Sequence, residues 1–382
     1  MKKLNIILFL CMFLGVSASN LSYFEEGERG IWLRPPENIE EIPAIVREIA
    51  EGNFNTIYLE TFYHGYSIAP NPFIPVRPSF DGKDVLQLFL DEANGYGIEI
   101  HLWVEVFYWK VDPEMLDDFP RTPLFEDKPY YYKARLRDGS VTSHAEFAHI
   151  FANPAVPEVQ EFLKNYFEYL IMNYDVTALQ LDYIRYSAGE QDAGYDSYTR
   201  GLFEDVYGVD PMDIEKDPDD DLWQLWVEFR EDIITGFVAD VNKLVRRCNV
   251  KKEGTVQLTA AVAPYYYDHR YRDSVFQDWK TWFDKGYIDV LLPMCYAGSI
   301  DGISSQIKGI KERVRGPQVK LIPGLAAPKE EADRYGGPER PSLDKQFAMI
   351  RDMSLDSYAV FCYCWLKESD PDFATVIEFY RD

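Results

Sequence analysis

The chain has 382 residues, 39 Lys and Arg against 64 Asp and Glu, a formal charge of −25, and 47% hydrophobic residues. That apolar content excludes a disordered chain, and the shortage of cations argues against nucleic acid or an anionic membrane surface as a partner, since phosphate is bound by clustered Lys and Arg. Aromatic residues make up 15% of the chain, which suits a large core and a sugar-stacking surface equally.

At the start, Lys2 and Lys3 precede the apolar run Leu4 to Val16, and Val16-Ser17-Ala18 supplies small residues for cleavage. This is the pattern of a signal peptide over residues 1–18, too short for the roughly 20 apolar residues that span a bilayer. A lipoprotein at Cys11 is disfavoured by the bulky Phe9 and Leu10 before it. The expectation is a secreted or periplasmic protein without stable membrane insertion. Residues 19–382 are expected to form one domain, because no linker or internal repeat divides them.

Periodicity and breakers predict eight strands: Arg29–Arg34, Asn55–Glu60, Ile98–Glu105, Thr177–Asp182, Gln257–Ala263, Ile288–Tyr296, Val319–Gly324 and Ser357–Trp365. Helical stretches alternate with them over Glu40–Ala50, Asp84–Tyr96, Val156–Tyr174, Leu222–Arg247, Val275–Lys285, Ser304–Val314, Leu343–Arg351 and Asp372–Tyr380. Eight strand–helix units predict a parallel, closed (β/α)8 TIM barrel. A doubly wound open sheet is the rival, but no glycine-rich phosphate loop follows the first strand.

Parity along the strands locates a mouth. Ile31 and Leu33 oppose Trp32 and Arg34, and Ile57 and Leu59 oppose Tyr58 and Glu60. Ile98, Ile100, Leu102 and Val104 oppose Glu99, His101, Trp103 and Glu105, while Leu179 and Leu181 oppose Gln180 and Asp182. With the aliphatic faces on the helices, the other faces fill the lumen, and four strands deliver Arg34, Glu60, Glu105 and Asp182 at their C-terminal ends, where barrel sites are built. On the same parity Met294 and Tyr296 of strand six, and Phe361, Tyr363 and Trp365 of strand eight, point inward.

Long connections follow strands three and four. The first carries Phe107-Tyr108-Trp109 and Tyr130-Tyr131-Tyr132, as subsite walls or as loop glue; the second carries Asp217-Pro-Asp-Asp-Asp221, read as a solvated helix cap. Cys362 and Cys364, two apart in a strand, are read as packing residues whose spacing is too wide for a disulfide. The histidines (His64, His101, His144, His149, His269) form neither HxH nor HExxH, and no GxSxG elbow occurs, so neither a metal nor another cofactor is expected.

Adjacent strands lie about 4.8 Å apart, so acids ending neighbouring strands approach the carboxyl separations used by glycosidases, about 5–5.5 Å for retention and 6.5–9.5 Å for inversion. Like charges held so close drive one pKa up, leaving one acid protonated and one ionised. Arg185, three residues after Asp182, is expected to curl back onto that carboxylate.

Arg29-Gly-Ile-Trp-Leu-Arg34, Phe54-Asn-Thr-Ile-Tyr58, Glu99-Ile-His-Leu-Trp-Val-Glu105, Ala152-Asn-Pro154, Leu181-Asp-Tyr-Ile-Arg-Tyr186 and Ile288-Asp-Val-Leu-Leu-Pro-Met-Cys-Tyr296 occur in order. This set resembles the glycosyl hydrolase-like 10 family of exported bacterial barrels, from about Glu28 to about Trp365. The resemblance implies a hydrolase of bacterial glycan, since family members include a glycosidase of peptide-free peptidoglycan strands, with Glu105, Asp182, Arg185 and Tyr296 in the site. Pro293-Met-Cys-Tyr296 also looks like the matching strand of family 18 chitinases, but their DxxDxDxE motif is absent here. The expectation is thus a glycoside hydrolase of a polysaccharide with Asp182 and Glu105 catalytic. Arg34, Glu60, His64, Trp103, Tyr183, Arg185, Tyr296 and Trp365 are expected to bind substrate. The alternative is a carbohydrate-binding barrel without turnover.

Overall fold

Strict alternation on the strands leaves each with one aliphatic face, and the structure buries these faces under a ring of helices. The computed structural model describes residues 23–111, 124, 126–141, 149–187, 193–264, 275–314, 319–328 and 340–381; the leader expected over residues 1–18, Cys11, His144 and His269 lie outside them. The barrel strands are β1 (Arg29–Leu33), β2 (Thr56–Tyr63), β3 (Glu99–Glu105), β4 (Ala178–Asp182), β5 (Gln257–Val262), β6 (Val290–Pro293), β7 in two pieces (Lys320–Leu321 and Gly324–Ala326) and β8 (Tyr358–Phe361). Every neighbouring pair is parallel. The first piece of β7 pairs with β6 and the second with β8, which pairs with β1, so the sheet returns on itself. Pro323 has no N–H for the ladder, which explains the break in β7. Across it, Ile322 N–H donates to the Leu291 carbonyl at 3.0 Å, and Ala359 N–H to the Pro323 carbonyl at 3.0 Å.

The ring consists of α1 (Ile42–Glu51), α2 (Val85–Asn94), α3 (Pro157–Asn173), α4 (Asp221–Lys252), α5 (Trp279–Asp284), α6 (Ile300–Arg313), α7 (Leu343–Asp352) and α8 (Ala374–Arg381). Pro residues open α1 and α3, and carboxylates cap others: Asp84 accepts from Gln87 N–H and Asp220 from Trp223 N–H. The acidic stretch before α4 thus includes the cap. Ile31, Leu33, Ile57, Leu59, Leu102, Val104, Leu179 and Leu181 share one core with Ile45, Val46, Ile49, Leu163 and Phe167 of the helices. A separate, smaller core fills the lumen with Trp32, Tyr58, Trp103, Val290, Leu292, Ile322 and Ala359. Gly30 belongs to this inner packing, because a Cβ there would stand 2.3 Å from the Tyr58 ring.

Three local readings are corrected. β2 continues past Glu60 to Tyr63, with a bulge at Thr61 that brings Phe62 into register with Val104 on the outer face. The connection after β4 holds an additional helix over Ser197–Tyr207, capped by Asp196. The last strand stops at Phe361, and Tyr363–Ser369 is a short helix. That change of backbone turns Tyr363 away from the lumen: its hydroxyl donates to Glu48 of α1 at 2.7 Å. It also leaves Cys364 exposed while Cys362 stays buried, so the two do not share a packed face.

Candidate active site

At the C-terminal mouth, register does what parity predicts. Glu60 lies beside Trp103, and Glu105 directly beside Asp182, on successive parallel strands. Arg34, one residue past β1, reaches over them. Its Nε donates to both Glu60 oxygens, at 2.9 and 3.2 Å, and its Nη2 lies 4.0 Å from Glu105 Oε1. The Arg34 side chain is 52% exposed, whereas Glu60 and Glu105 are 0% and 1% exposed. The acids therefore form the floor of the mouth and Arg34 its rim.

The three carboxyls differ in surroundings. Burial pushes Glu60 and Glu105 up, and the two are hydrogen-bonded to each other. The Arg34 charge opposes the shift most strongly at Glu60, whereas Glu105, beside the Glu60 and Asp182 charges, rises well above the carboxylate range. Glu105 is thus the carboxyl that burial and its neighbouring charges hold furthest above the ordinary range. Asp182 is also raised by burial, but two donors oppose that: Tyr183 N–H to Oδ1 at 2.7 Å and Trp103 Nε1–H to Oδ2 at 2.9 Å. Both its oxygens are thus solvated by the protein in the ionised form.

Arg185 acts on Asp182 through its charge. Its guanidinium lies over the Tyr183 ring at 4.7 Å, and Nη1 donates to the Tyr186 carbonyl at 3.0 Å. Close orientation of the carboxylate comes from Trp103 and the Tyr183 backbone, a job that sequence reading did not give to either. The only trace in the sequence is that Trp103 precedes Glu105 by two residues and so shares its face.

One wall of the mouth is aromatic. Tyr108 stacks on His149 at 4.0 Å and approaches Tyr183 at 5.3 Å and His64 at 5.5 Å. Burial, Arg34 and Arg77 drive the His64 imidazole down to about 2, so it is neutral at ordinary pH. Tyr108 and His149 join the wall because short strands over Tyr108–Val111 and His149–Phe151 pair antiparallel within the connection after β3. On the opposite side Tyr296 lies 5.7 Å from Phe361, and Phe361 meets Trp365 edge-on at 5.1 Å. Trp365 remains beside the luminal core although it sits on the helix after β8.

The lumen below is closed. Trp32 Nε1–H donates to Gln180 Oε1 at 2.7 Å beneath the acids. At the far end the Tyr58 hydroxyl bonds Glu28, which also faces Lys320 at 3.7 Å. Among the described residues no three His, Cys, Asp or Glu side chains are gathered to hold a metal ion, and none of their helices is long and apolar enough to cross a membrane.

Comparison with known proteins agrees with this architecture. The chain is 26% identical over 205 residues to an S-layer-related protein of Niallia circulans, covering 48% of this chain and 12% of that one. It is 24% identical over 135 residues to glycosyl hydrolase DigH of Escherichia coli K12, covering 34% of this chain and 30% of the relative. The matched parts thus span less than a third of these relatives. Among solved structures, the glycoside hydrolase domain of PgaB (BpsB) from Bordetella bronchiseptica superposes with a TM-score of 0.64 at 13% identity, covering 93% of this chain and 99% of that domain, a likeness of fold. The profile of the Glycosyl hydrolase-like 10 family matches residues 28–329, most of the chain, and the chain belongs to that family.

Proposed function

We propose that the protein is an exported glycoside hydrolase that cleaves a polysaccharide at the barrel mouth, with Glu105 as general acid and Asp182 as nucleophile or base. The observation that carries this reading is the in-register Glu105–Asp182 pair, in which burial raises Glu105 well above the carboxylate range while two N–H donors hold Asp182. Glu105 protonates the departing glycosidic oxygen. The carboxylate it becomes is then stabilised by Arg34, whose Nη2 already lies 4.0 Å away. Asp182 attacks the anomeric carbon or activates a water, its negative charge oriented by Trp103.

Glu60 is buried and occupied by Arg34, so its part is to hold that guanidinium and to keep the proton on Glu105. Arg34, Tyr183, Arg185, His64, Tyr296 and Trp365 bound the sugar subsite, with the aromatic rings against apolar sugar faces. Membership of the family supports a glycan substrate, and its resemblance to peptidoglycan-cutting members makes peptide-free peptidoglycan strands the first to try. The S-layer-related likeness fits an extracytoplasmic location.

Digestion of a panel of defined glycans, including peptide-free peptidoglycan, with mass spectrometry of products tests this. Product formation should fall about 10²–10⁴-fold in Asp182→Asn while oligosaccharide binding persists. Equal, marginal turnover by both proteins with retained binding would instead make the barrel a carbohydrate-binding module.

A further inference from the structure

Where β8 gives way to the helix at Tyr363, the chain changes from extended to helical backbone between two cysteines. Residues two apart in a strand cannot bring their sulfurs together, but this turn does: Cys362 Sγ and Cys364 Sγ lie 3.0 Å apart. One sulfur is buried beside the luminal core and the other is exposed at the rim. The other cysteines among the described residues, Cys248 and Cys295, are buried. Neither rim thiol has a part in the carbohydrate chemistry above. We propose that Cys362 and Cys364 are a redox-active thiol pair that closes into an intrachain disulfide on meeting a small-molecule disulfide.

The two sulfurs are suited to different steps. Cys364 is open to solvent, and its hydrogen bond with Cys362 and the nearby Arg34 charge bring its thiol down to about 7. Burial pushes the Cys362 thiol well up, so it holds its proton. The Cys364 thiolate attacks one sulfur of the small disulfide, forming a mixed disulfide and expelling one thiolate. Cys362 then attacks the Cys364 sulfur, passing its proton to the expelled thiolate; the protein disulfide forms, and the second small thiolate leaves and takes up from water the proton that Cys364 had released. The protein loses two electrons and two protons, and one small disulfide becomes two thiols. Closure removes the thiolate that faces Arg34, and so links the redox state of this pair to the charge at the rim.

The test uses the purified full chain, reduced, freed of reductant and exposed to oxidised glutathione near neutral pH. Free thiols are then alkylated and mapped by mass spectrometry. The expected product is a peptide carrying both Cys362 and Cys364 that is two hydrogens lighter, unalkylated, and restored by a dithiol reductant. Before oxidation, Cys364 should alkylate at least about tenfold faster than Cys248 or Cys295, as an exposed, low-pKa thiol does. Cys362→Ser should stop at the glutathione mixed disulfide on Cys364, and Cys364→Ser should leave Cys362 unmodified. A lasting mixed disulfide on Cys364 in the unsubstituted protein, or both thiols still alkylated after oxidation, would overturn the proposal.

Discussion

The barrel has two interiors, and they are built to different rules. Between sheet and helices the core is aliphatic and aromatic, and residues such as Leu102 and Leu181 are fully buried in it. Inside the sheet the core is small and is bounded at both ends by charge: Glu28 with Tyr58 and Lys320 below, and Arg34, Glu60, Glu105 and Asp182 above. Burying those acids costs free energy that apolar residues would not. The outer core therefore answers to stability, whereas the inner one, at its upper end, holds charges that stability alone does not ask for. In the outer core a side chain packs against the ring of helices, as Phe24 meets Tyr380 of α8. In the lumen it meets strands from the whole length of the chain, as Trp32 meets Gln180.

Substitutions that separate these two roles test the contrast, beginning with the largest effect. Glu105→Gln keeps the shape and a donor toward Glu60 but has no acid proton, so turnover of a cleaved glycan should drop about 10²–10⁴-fold with the melting temperature unchanged or higher. An equal fall in melting temperature would mean that Glu105 is structural. Leu102→Ala, on the other face of the same strand and fully buried, should cost about 2–5 kcal/mol in denaturant unfolding. The fraction of that variant still folded should keep its kcat. Were kcat lost as well, the two interiors would not be separable.

A smaller effect is expected at Trp103→Phe, which keeps the packing and deletes one donor to the Asp182 carboxylate. A hydrogen bond to a charged group is worth about 1.5–3 kcal/mol, so the acidic limb of the pH–rate profile should move up by about one to two pH units. An unmoved limb would show that Trp103 does not orient the carboxylate.

The smallest effect is on stability as a function of pH. Burial and the Glu60 charge raise the folded-state pKa of Glu105, so the native state holds a proton that the unfolded chain releases at the ordinary carboxylate pKa. Stability from this group is present below that value and declines as pH rises toward the raised one. Glu105→Gln should match the unsubstituted protein in acid and exceed it above the carboxylate range. Melting curves measured across pH would break this account if the two proteins stayed parallel.

How far the sequence discloses the molecule differs between its two interiors. The outer core was legible, because each aliphatic side chain alternates along its own strand; Ile57 and Leu59, Ile100 and Leu102, and Leu179 and Leu181 all face the helices as read. The four mouth residues followed from the same alternation, and register then made Glu105 and Asp182 neighbours. The partners of those residues were less legible. Arg185, close to Asp182 in sequence, looked like its clamp, yet Trp103, 79 residues away, donates to it. Tyr363 looked inward until the end of β8 at Phe361 turned it toward Glu48. The same turn brought together two sulfurs that a continuous strand would have kept apart.

The amino-acid order alone thus determined the strand–helix alternation, the inward and outward faces, and which acids would stand at the mouth, because these depend on periodicity within a few consecutive residues. Tertiary structure decided which carboxyl is raised furthest above its ordinary range, what holds Asp182, and where the last strand stops. Those outcomes depend on burial and on charges and donors supplied by distant strands, and no local pattern encodes them.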